Sequence, residues 1–387
     1  MGSERPCHIL LTAPDLKRIG GVAGYAGLLM KHADPARARI THLPIGRKVG
    51  GLFSTVWFRP LDFVLNHSLL AWTIIRDRPD LVHVNPSLKW RSLPESLGML
   101  LVARWLRRPV LLYIHGWDER IAQAMIRRRW HGRMLLRMLR QAQHYVVLAA
   151  GFRRQLIAAG LPAGKISLLP MMTEVEPVSP ALGFADSRDG MAFRVLWLSR
   201  MYAGKGIWVT MAAAEIVART HPEARLEFCL VGSGPALRPA RAHVRRRGLQ
   251  SVVRLPGVVL GEAKARLYRS ADLFVWPSVD REGFPHVIAE ALGAGLPIVY
   301  TKTPSLSEVL SSQNGIGIEP EDLSAATLAE CIWNLYQAPL RRQAMAEANR
   351  RLAAERFSVN VVCRQMEDLY RQVLRRQPPV SSPDETT

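Results

Sequence analysis

Short apolar runs alternate with helically spaced stretches along nearly the whole chain. "CHILLTAP" (7–14) is an apolar run closed by turn formers, and "GGVAGYAGLLMKHA" (20–33) follows with helical spacing. "DLVHVNP" (80–86), "PVLLYIHG" (109–116), "HYVVLAA" (144–150) and "KISLLP" (165–170) repeat the apolar theme, with helical stretches such as Leu61–Arg78 and Ser92–Leu106 between them. The runs are nearly continuous in apolar residues rather than alternating in and out. Such strands are buried on both faces, so the pattern predicts a parallel sheet covered by helices on both sides.

"TEVEPVSPALGFADSRDG" interrupts the alternation with Pro, Ser, Gly and Asp and reads as a linker over 176–190. The pattern then restarts with "FRVLWLSR", "RLEFCLVGSGP", "VVRLPGVV", "DLFVWPS" and "PIVYT", separated by helices at 206–219, 236–248, 262–270 and 285–294. The expected architecture is therefore α/β, with two tandem Rossmann-like doubly wound domains, 1–175 and 191–350, facing a central cleft. A helix over 351–376 is expected to pack back on the first domain, and 377–387 to be disordered. In open parallel sheets ligands sit beyond the carboxyl ends of the strands, so chemistry is sought in the loops that follow them.

The chain has 387 residues, 48% of them hydrophobic and 22% charged, enough for two ordinary cores. No apolar run reaches the length of about 18 residues needed to span a membrane. The first residues lack the basic and apolar regions of a signal peptide, which predicts a cytoplasmic protein. Four scattered cysteines (Cys7, Cys229, Cys331, Cys363) match no metal spacing and read as buried thiols. Net charge changes the picture. Residues 1–180 hold 26 Lys+Arg against 11 Asp+Glu, whereas the rest hold 26 against 21. A field concentrated in the first half attracts a polyanion, an anionic membrane or an anionic substrate; an arginine-rich coding bias is the plain alternative.

Three loops carry candidate chemistry. In "LSRMYAGKGI", Arg200 and Lys205 flank a glycine turn just before a helix, an arrangement that suits a diphosphate although the Walker spacing is absent. "LVGSGP" places Gly232 and Gly234 after a strand, a weak signal because tight turns want glycine anyway. In "DREGFPHVIAEALGAG", Pro285 suits the first helical position, and Gly283 and Phe284 can aim backbone N–H groups at a phosphate. Glu282 in the loop and Glu290 in the helix are too far apart to work on one atom. They can grip separate hydroxyl-bearing parts of one extended anionic ligand.

The run "EGFPHVIAEALGAGLPIV" resembles the signature of the retaining glycosyltransferases of family four, the GT-B architecture. The likeness extends to Gly20-Gly21, "HGWDE", Arg200 with Lys205, and "VGSGP". It implies catalytic work for His115, Glu282, Arg200 and Lys205. It implies donor contacts for Gly20, Gly21, Arg200, Lys205, Gly232, Gly234, Val258, Gly283, Phe284, Pro285 and Glu290. Glu282 would touch the donor sugar, Glu290 the nucleotide ribose, Arg200 and Lys205 the diphosphate, and His115 the transferred sugar. The family typically needs no metal and no cofactor; the donor would be a UDP- or GDP-linked sugar. His286 departs from the commoner Asn or Leu and leaves the sugar open. Asp118 and Glu119 are candidates to orient the acceptor or His115, and Asn85 to touch the acceptor, while His83 reads as buried.

The basic first half is expected to meet the acceptor, a glycan or lipid-linked intermediate. "ERIAQAMIRRRWHGRMLLRMLRQ" reads as one helix with Arg129, Arg133, Arg137 and Arg140 on a stripe beside Trp130, opposite Leu135, Met138, Leu139 and Ala142. Leu52, Phe53, Trp57 and Phe58 beside Arg47, Lys48 and Arg59 add a second amphipathic stretch. Both suggest peripheral docking on an anionic inner membrane face; an ordinary surface helix is the alternative. A soluble transferase to a sugar phosphate, or a polyanion binder on a degenerate scaffold, are the rival functions. No nucleic-acid partner is expected.

Overall fold

The computed structural model describes residues 5–18, 20–46, 59–174, 192–280 and 283–375. The linker 176–190, the tail 377–387, Glu282 and the stretch from Arg47 to Phe58 lie outside the described residues. The chain divides into two compact units: 1–172 with 282–284 and 359–387, and 173–281 with 285–358.

The first unit runs β1 (Cys7–Pro14), α1 (Gly21–His32), β2 (Ala38–Ile45), α2 (Arg59–Asp77), β3 (Leu81–Val84), α3 (Leu93–Trp105), β4 (Val110–Ile114), α4 (Glu119–Ile126), α5 (Trp130–Leu139), β5 (His144–Val147), α6 (Ala150–Ala158) and β6 (Ile166–Leu168). The second runs β7 (Phe193–Leu198), α7 (Ile207–Thr220), β8 (Leu226–Val231), α8 (Leu237–Arg246), β9 (Val253–Gly257), α9 (Gly261–Ser270), β10 (Leu273–Trp276), α10 (His286–Gly293), β11 (Ile298–Thr301), α11 (Pro304–Ser307), β12 (Gly315–Ile318), α12 (Ala325–Tyr336) and α13 (Pro339–Arg356). Helix α14 (Val359–Arg375) returns to the first unit.

Both sheets are parallel and six-stranded, in the orders β2-β1-β3-β4-β5-β6 and β12-β11-β10-β7-β8-β9. The expected pair of doubly wound domains is present. Strand order reverses between β1 and β3 in the first sheet and between β7 and β10 in the second, and the loops beyond those strands are where such sheets hold ligands. The sheets are buried on both faces as their apolar runs require: β3, β4, β5, β10 and β11 have no exposed residue.

Three local expectations are corrected. The 351–376 stretch is not one helix: Phe357, in αR conformation with φ −117°, caps α13, and α14 starts afresh at Val359. The arginine-rich stretch also breaks, because Arg128 takes φ 50° and ends the path between α4 and α5. Arg129 thus caps α5 rather than extending a stripe, and Arg140 caps its other end and donates to the Gly160 carbonyl. Pro285 is the N-cap of α10, not its first residue, since its ψ of 130° is extended.

Candidate functional site

In the second unit the loops after β7 and β10 meet. Gly206 (φ 78°) lets the chain turn from a short 3-10 segment, Ala203–Lys205, into α7. A Cβ there would fall 2.1 Å from the Pro277 carbonyl oxygen, so only glycine allows this approach. The turn buries Lys205, whose side chain is 2% exposed and whose Nζ lies 3.5 Å from Oδ2 of Asp280. The Tyr202 hydroxyl donates to the same Asp280 carboxylate. The Lys205 ammonium also sits 5.3 Å from the Trp276 ring and 5.8 Å from the Tyr202 ring. Arg200, exposed, stacks its guanidinium 5.4 Å over Tyr202. The two cations singled out in the sequence therefore converge on one ring. A lysine so buried is rare without a paired anion or a ligand to serve.

Gly232 and Gly234 brace this loop. A Cβ on Gly232 would strike the Ser199 carbonyl, and one on Gly234 the Met201 carbonyl. Met201 N–H donates to the Ser233 carbonyl at 2.7 Å and Ala236 N–H to the Met201 carbonyl at 3.0 Å. Their glycines answer to packing of the Arg200 loop first. Val258, just past β9, is exposed.

Glu290 is the fifth residue of α10 and is buried. Lys264 of α9 pairs with its Oε1; His286 Nε2 lies 3.2 Å from the same oxygen, and the Tyr268 hydroxyl donates to Oε2 at 2.9 Å. Burial alone would raise the carboxyl, but His286 and Lys264 outweigh it and hold Glu290 at about 2. It is thus a carboxylate with three of its roughly four acceptor positions engaged. Gly283 and Phe284 group with the first unit rather than with the helix they precede, and Phe284 is buried.

In the first unit the loops after β1, β3 and β4 adjoin. His115 follows β4, and its backbone N–H donates to the Pro86 carbonyl at 3.0 Å. Its Nε2 lies 2.7 Å from Asn85 Oδ1, and Asn85 Nδ2 donates to the Thr12 carbonyl at 3.0 Å. Tyr113 and Tyr25 wall the imidazole at ring separations of 4.3 and 5.2 Å. Asn85 is therefore a partner of His115. His83 is buried as expected, with Nδ1 2.7 Å from the Tyr370 hydroxyl of α14, and burial pushes its pKa down to about 3. Gly20 and Gly21 open α1, and a Cβ on Gly20 would meet nothing within 4 Å. That space lies at the ligand-bearing edge of the sheet.

Asp118 and Glu119 have other work. Asp118 caps α4 by accepting from Arg120 N–H, and Glu119 accepts from Gln155 and Gln123. The sequence reading missed Tyr202, Asp280, Lys264 and Tyr268. Lys264 and Tyr268 stand four apart, one helical turn, which is the spacing that puts two side chains on one carboxylate.

Residues 16–171 match the Glycosyl transferase 4-like domain family, and residues 192–338 match the family Glycosyl transferases group 1. The amylovoran biosynthesis glycosyltransferase AmsK of Erwinia amylovora is 25% identical over 240 residues, covering 60% of this chain and 57% of that protein. The phosphatidyl-myo-inositol mannosyltransferase of Mycobacterium tuberculosis (strain ATCC 25618 / H37Rv) is 32% identical over 173 residues, 44% of each chain. The chain thus spans about half the length of the curated relatives it matches. Among solved structures, Anabaena Alr3699/HepE in complex with UDP-glucose superposes with a TM-score of 0.69 at 20% identity, over 94% of this chain and 99% of that one. Two parallel six-stranded sheets, each with its ligand-side loops built as above, and two adjacent family matches converge: the chain belongs to the two-domain GT-B glycosyltransferases, with a glycosyl transferase 4-like domain followed by a group 1 domain.

Proposed function

We propose that the protein transfers a sugar, with retention of anomeric configuration, from a nucleoside diphosphate sugar to a lipid-linked or surface-glycan acceptor at the cytoplasmic face of a membrane. The observation that carries the donor half is the pair Arg200 and Lys205 gathered on Tyr202 beyond β7, with Asp280 behind Lys205. Cations fixed before the reaction stabilise the charge that grows on a departing diphosphate. Glu290 holds the nucleotide ribose. The relatives' names, an amylovoran biosynthesis glycosyltransferase and a phosphatidyl-myo-inositol mannosyltransferase, support a glycan or lipid-linked acceptor.

In this reading the acceptor oxygen attacks the anomeric carbon on the face the diphosphate leaves. The C–O bond to the diphosphate breaks as the new glycosidic bond forms, and the acceptor proton passes to a phosphate oxygen. His115 contacts the transferred sugar, and Glu282, outside the described residues, engages the same sugar. No metal enters this scheme. A thermal-shift screen against UDP, GDP and their sugars tests the donor half, because a ligand bound to the native state alone raises the melting temperature. Absence of any shift with all of them would refute it. NMR of the product's anomeric proton decides retention.

A further inference from the structure

Helix α2 is apolar on both faces. Its inward face sets Leu70 and Ile74 into the core of the first unit, with Asp62, Asn66 and Thr73 buried beside them and Asn66 donating to Glu95 Oε1 at 2.7 Å. Its outward face carries Leu61, Val64, Leu65, Trp72 and Ile75 at helical spacing, and Trp72 and Ile75 are 52% and 62% exposed. A helix whose outer side faces water carries charged and polar residues there instead. The neighbouring helices continue the pattern. Helix α3 packs against both α2 and α5, and it ends in Trp105, 81% exposed, while α5 opens with exposed Trp130. Large apolar side chains scattered singly need no explanation, but five on one face of a helix do.

Charge identifies the partner. Across 59–79, 88–108 and 127–140, Lys and Arg outnumber Asp and Glu by fourteen to three. The three acids are turned away: Asp62 is buried, Glu95 accepts from Asn66, and Asp77 is paired with Arg76. Arg76 in turn lies 4.1 Å over the Trp72 ring. An apolar strip that includes an exposed indole, on a group of helices whose charges are mostly cationic, matches the interface of an anionic bilayer, where indoles sit at the headgroups and arginines meet phosphates. A protein partner of ordinary composition would face unneutralised arginines.

We infer that α2, flanked by α3 and α5, is a membrane-docking face that seats its apolar strip below the headgroups of an anionic bilayer, so that attachment survives screening of charge. This rests on the proposed membrane location and deepens it. Arg133 and Arg137, exposed on α5, become the steering element, and α2 the holding element. No described helix is long and apolar enough to cross a membrane, so the attachment is in-plane.

The test is flotation of the full chain with phosphatidylcholine vesicles, with and without phosphatidylglycerol, at low salt and at about 1 M NaCl, where charges are screened beyond about 3 Å. The variant V64S/W72S/I75S changes only exposed side chains, and its melting curve checks the fold. Expected for the wild type is binding to the anionic vesicles with at least a third retained in high salt. The triple variant should lose at least tenfold of its partitioning and all of the salt-resistant fraction. R133E/R137E should lose the additional binding seen at low salt and keep the salt-resistant fraction. Complete release of the wild type by salt overturns the proposal, as does salt-resistant binding by a folded triple variant. So does a concentration-dependent dimer that the triple substitution dissolves, with no vesicle binding. Nucleotide binding is measured on the same samples. Its loss alongside intact docking would refute the transferase reading and leave this one standing.

Discussion

Asn85 Oδ1 lies 2.7 Å from His115 Nε2, and the other end of the same amide donates to the Thr12 carbonyl. The second bond decides which end of the amide faces the ring. An amide oxygen only accepts, so Nε2 carries the proton and the neutral ring's lone pair is on Nδ1. Sequence spacing put His115 and Asn85 at the ends of neighbouring strands, and the structure makes one the holder of the other's tautomer.

Asn85→Ala should cut turnover tenfold to a hundredfold, roughly the loss when a partner that orients a histidine is removed. Nucleotide affinity, measured by calorimetry, should not move. Asn85→Asp should do something else. A carboxylate beside Nε2–H favours the imidazolium, which has no lone pair on Nδ1, so the acid limb of the rate profile should move to higher pH. Identical pH profiles for Asp and Asn enzymes would leave Asn85 a merely structural residue.

Arg200 and Lys205 should separate by stability. Arg200 is exposed, and Arg200→Ala should lower turnover by roughly 10²–10³ with an unchanged melting temperature. Lys205 is buried against Asp280 and two aromatic rings. Lys205→Ala should therefore lose comparable turnover and also melt lower, by the roughly 1–3 kcal/mol that follows from leaving a partner unsatisfied. Turnover near wild type in either variant removes that residue from the site.

Glu290→Gln should weaken nucleoside diphosphate binding. It should also change acid stability. The native carboxyl sits near 2, below its ordinary value of 4.5, so its charged form stabilises the fold fully above 4.5. That contribution drains away as pH falls from 4.5 toward 2. The wild type should lose melting temperature steeply over this window and the Gln variant more gently; parallel curves would count against the Lys264–Glu290–His286 cluster.

His83 acts in a higher window. Burial holds its pKa near 3 against an ordinary 6.5, so between those values the unfolded chain binds a proton that the native state does not. Stability should fall as pH drops from 6.5 toward 3, and His83→Gln should flatten the part between 6.5 and 4.5. Tyr370→Phe removes the hydroxyl on Nδ1 and should cost about 1–3 kcal/mol. A Phe variant as stable as wild type in urea would show that bond to be dispensable.

The sequence by itself determined the fold class and the two-domain repeat, because a strand buried on both faces needs a run of apolar residues and turn formers at its ends. It also pointed to the loops beyond the parallel strands as the candidate site, since these are the ligand edge of any such sheet. Two strands escaped it. "ARITHLPI" (β2) edges its sheet and is only part-buried, and "GIGI" (β12) is short and glycine-broken, so neither shows the apolar run. Glu290 and Lys205 were legible as residues, but the sequence could not say that one carboxylate is held by Lys264, Tyr268 and His286, or that Asp280 backs the lysine. Those contacts join segments up to 75 positions apart along the chain, from Lys205 to Asp280, and pairing at that distance exists only once the sheet has brought its loops together. The outward face of α2 is the sharper case. Its helical period is plain in the sequence, but a period names two faces and not which one is inside. Only the packing of Leu70 and Ile74 into the core, with Asn66 donating to Glu95 beside them, decided which apolar face is left outside.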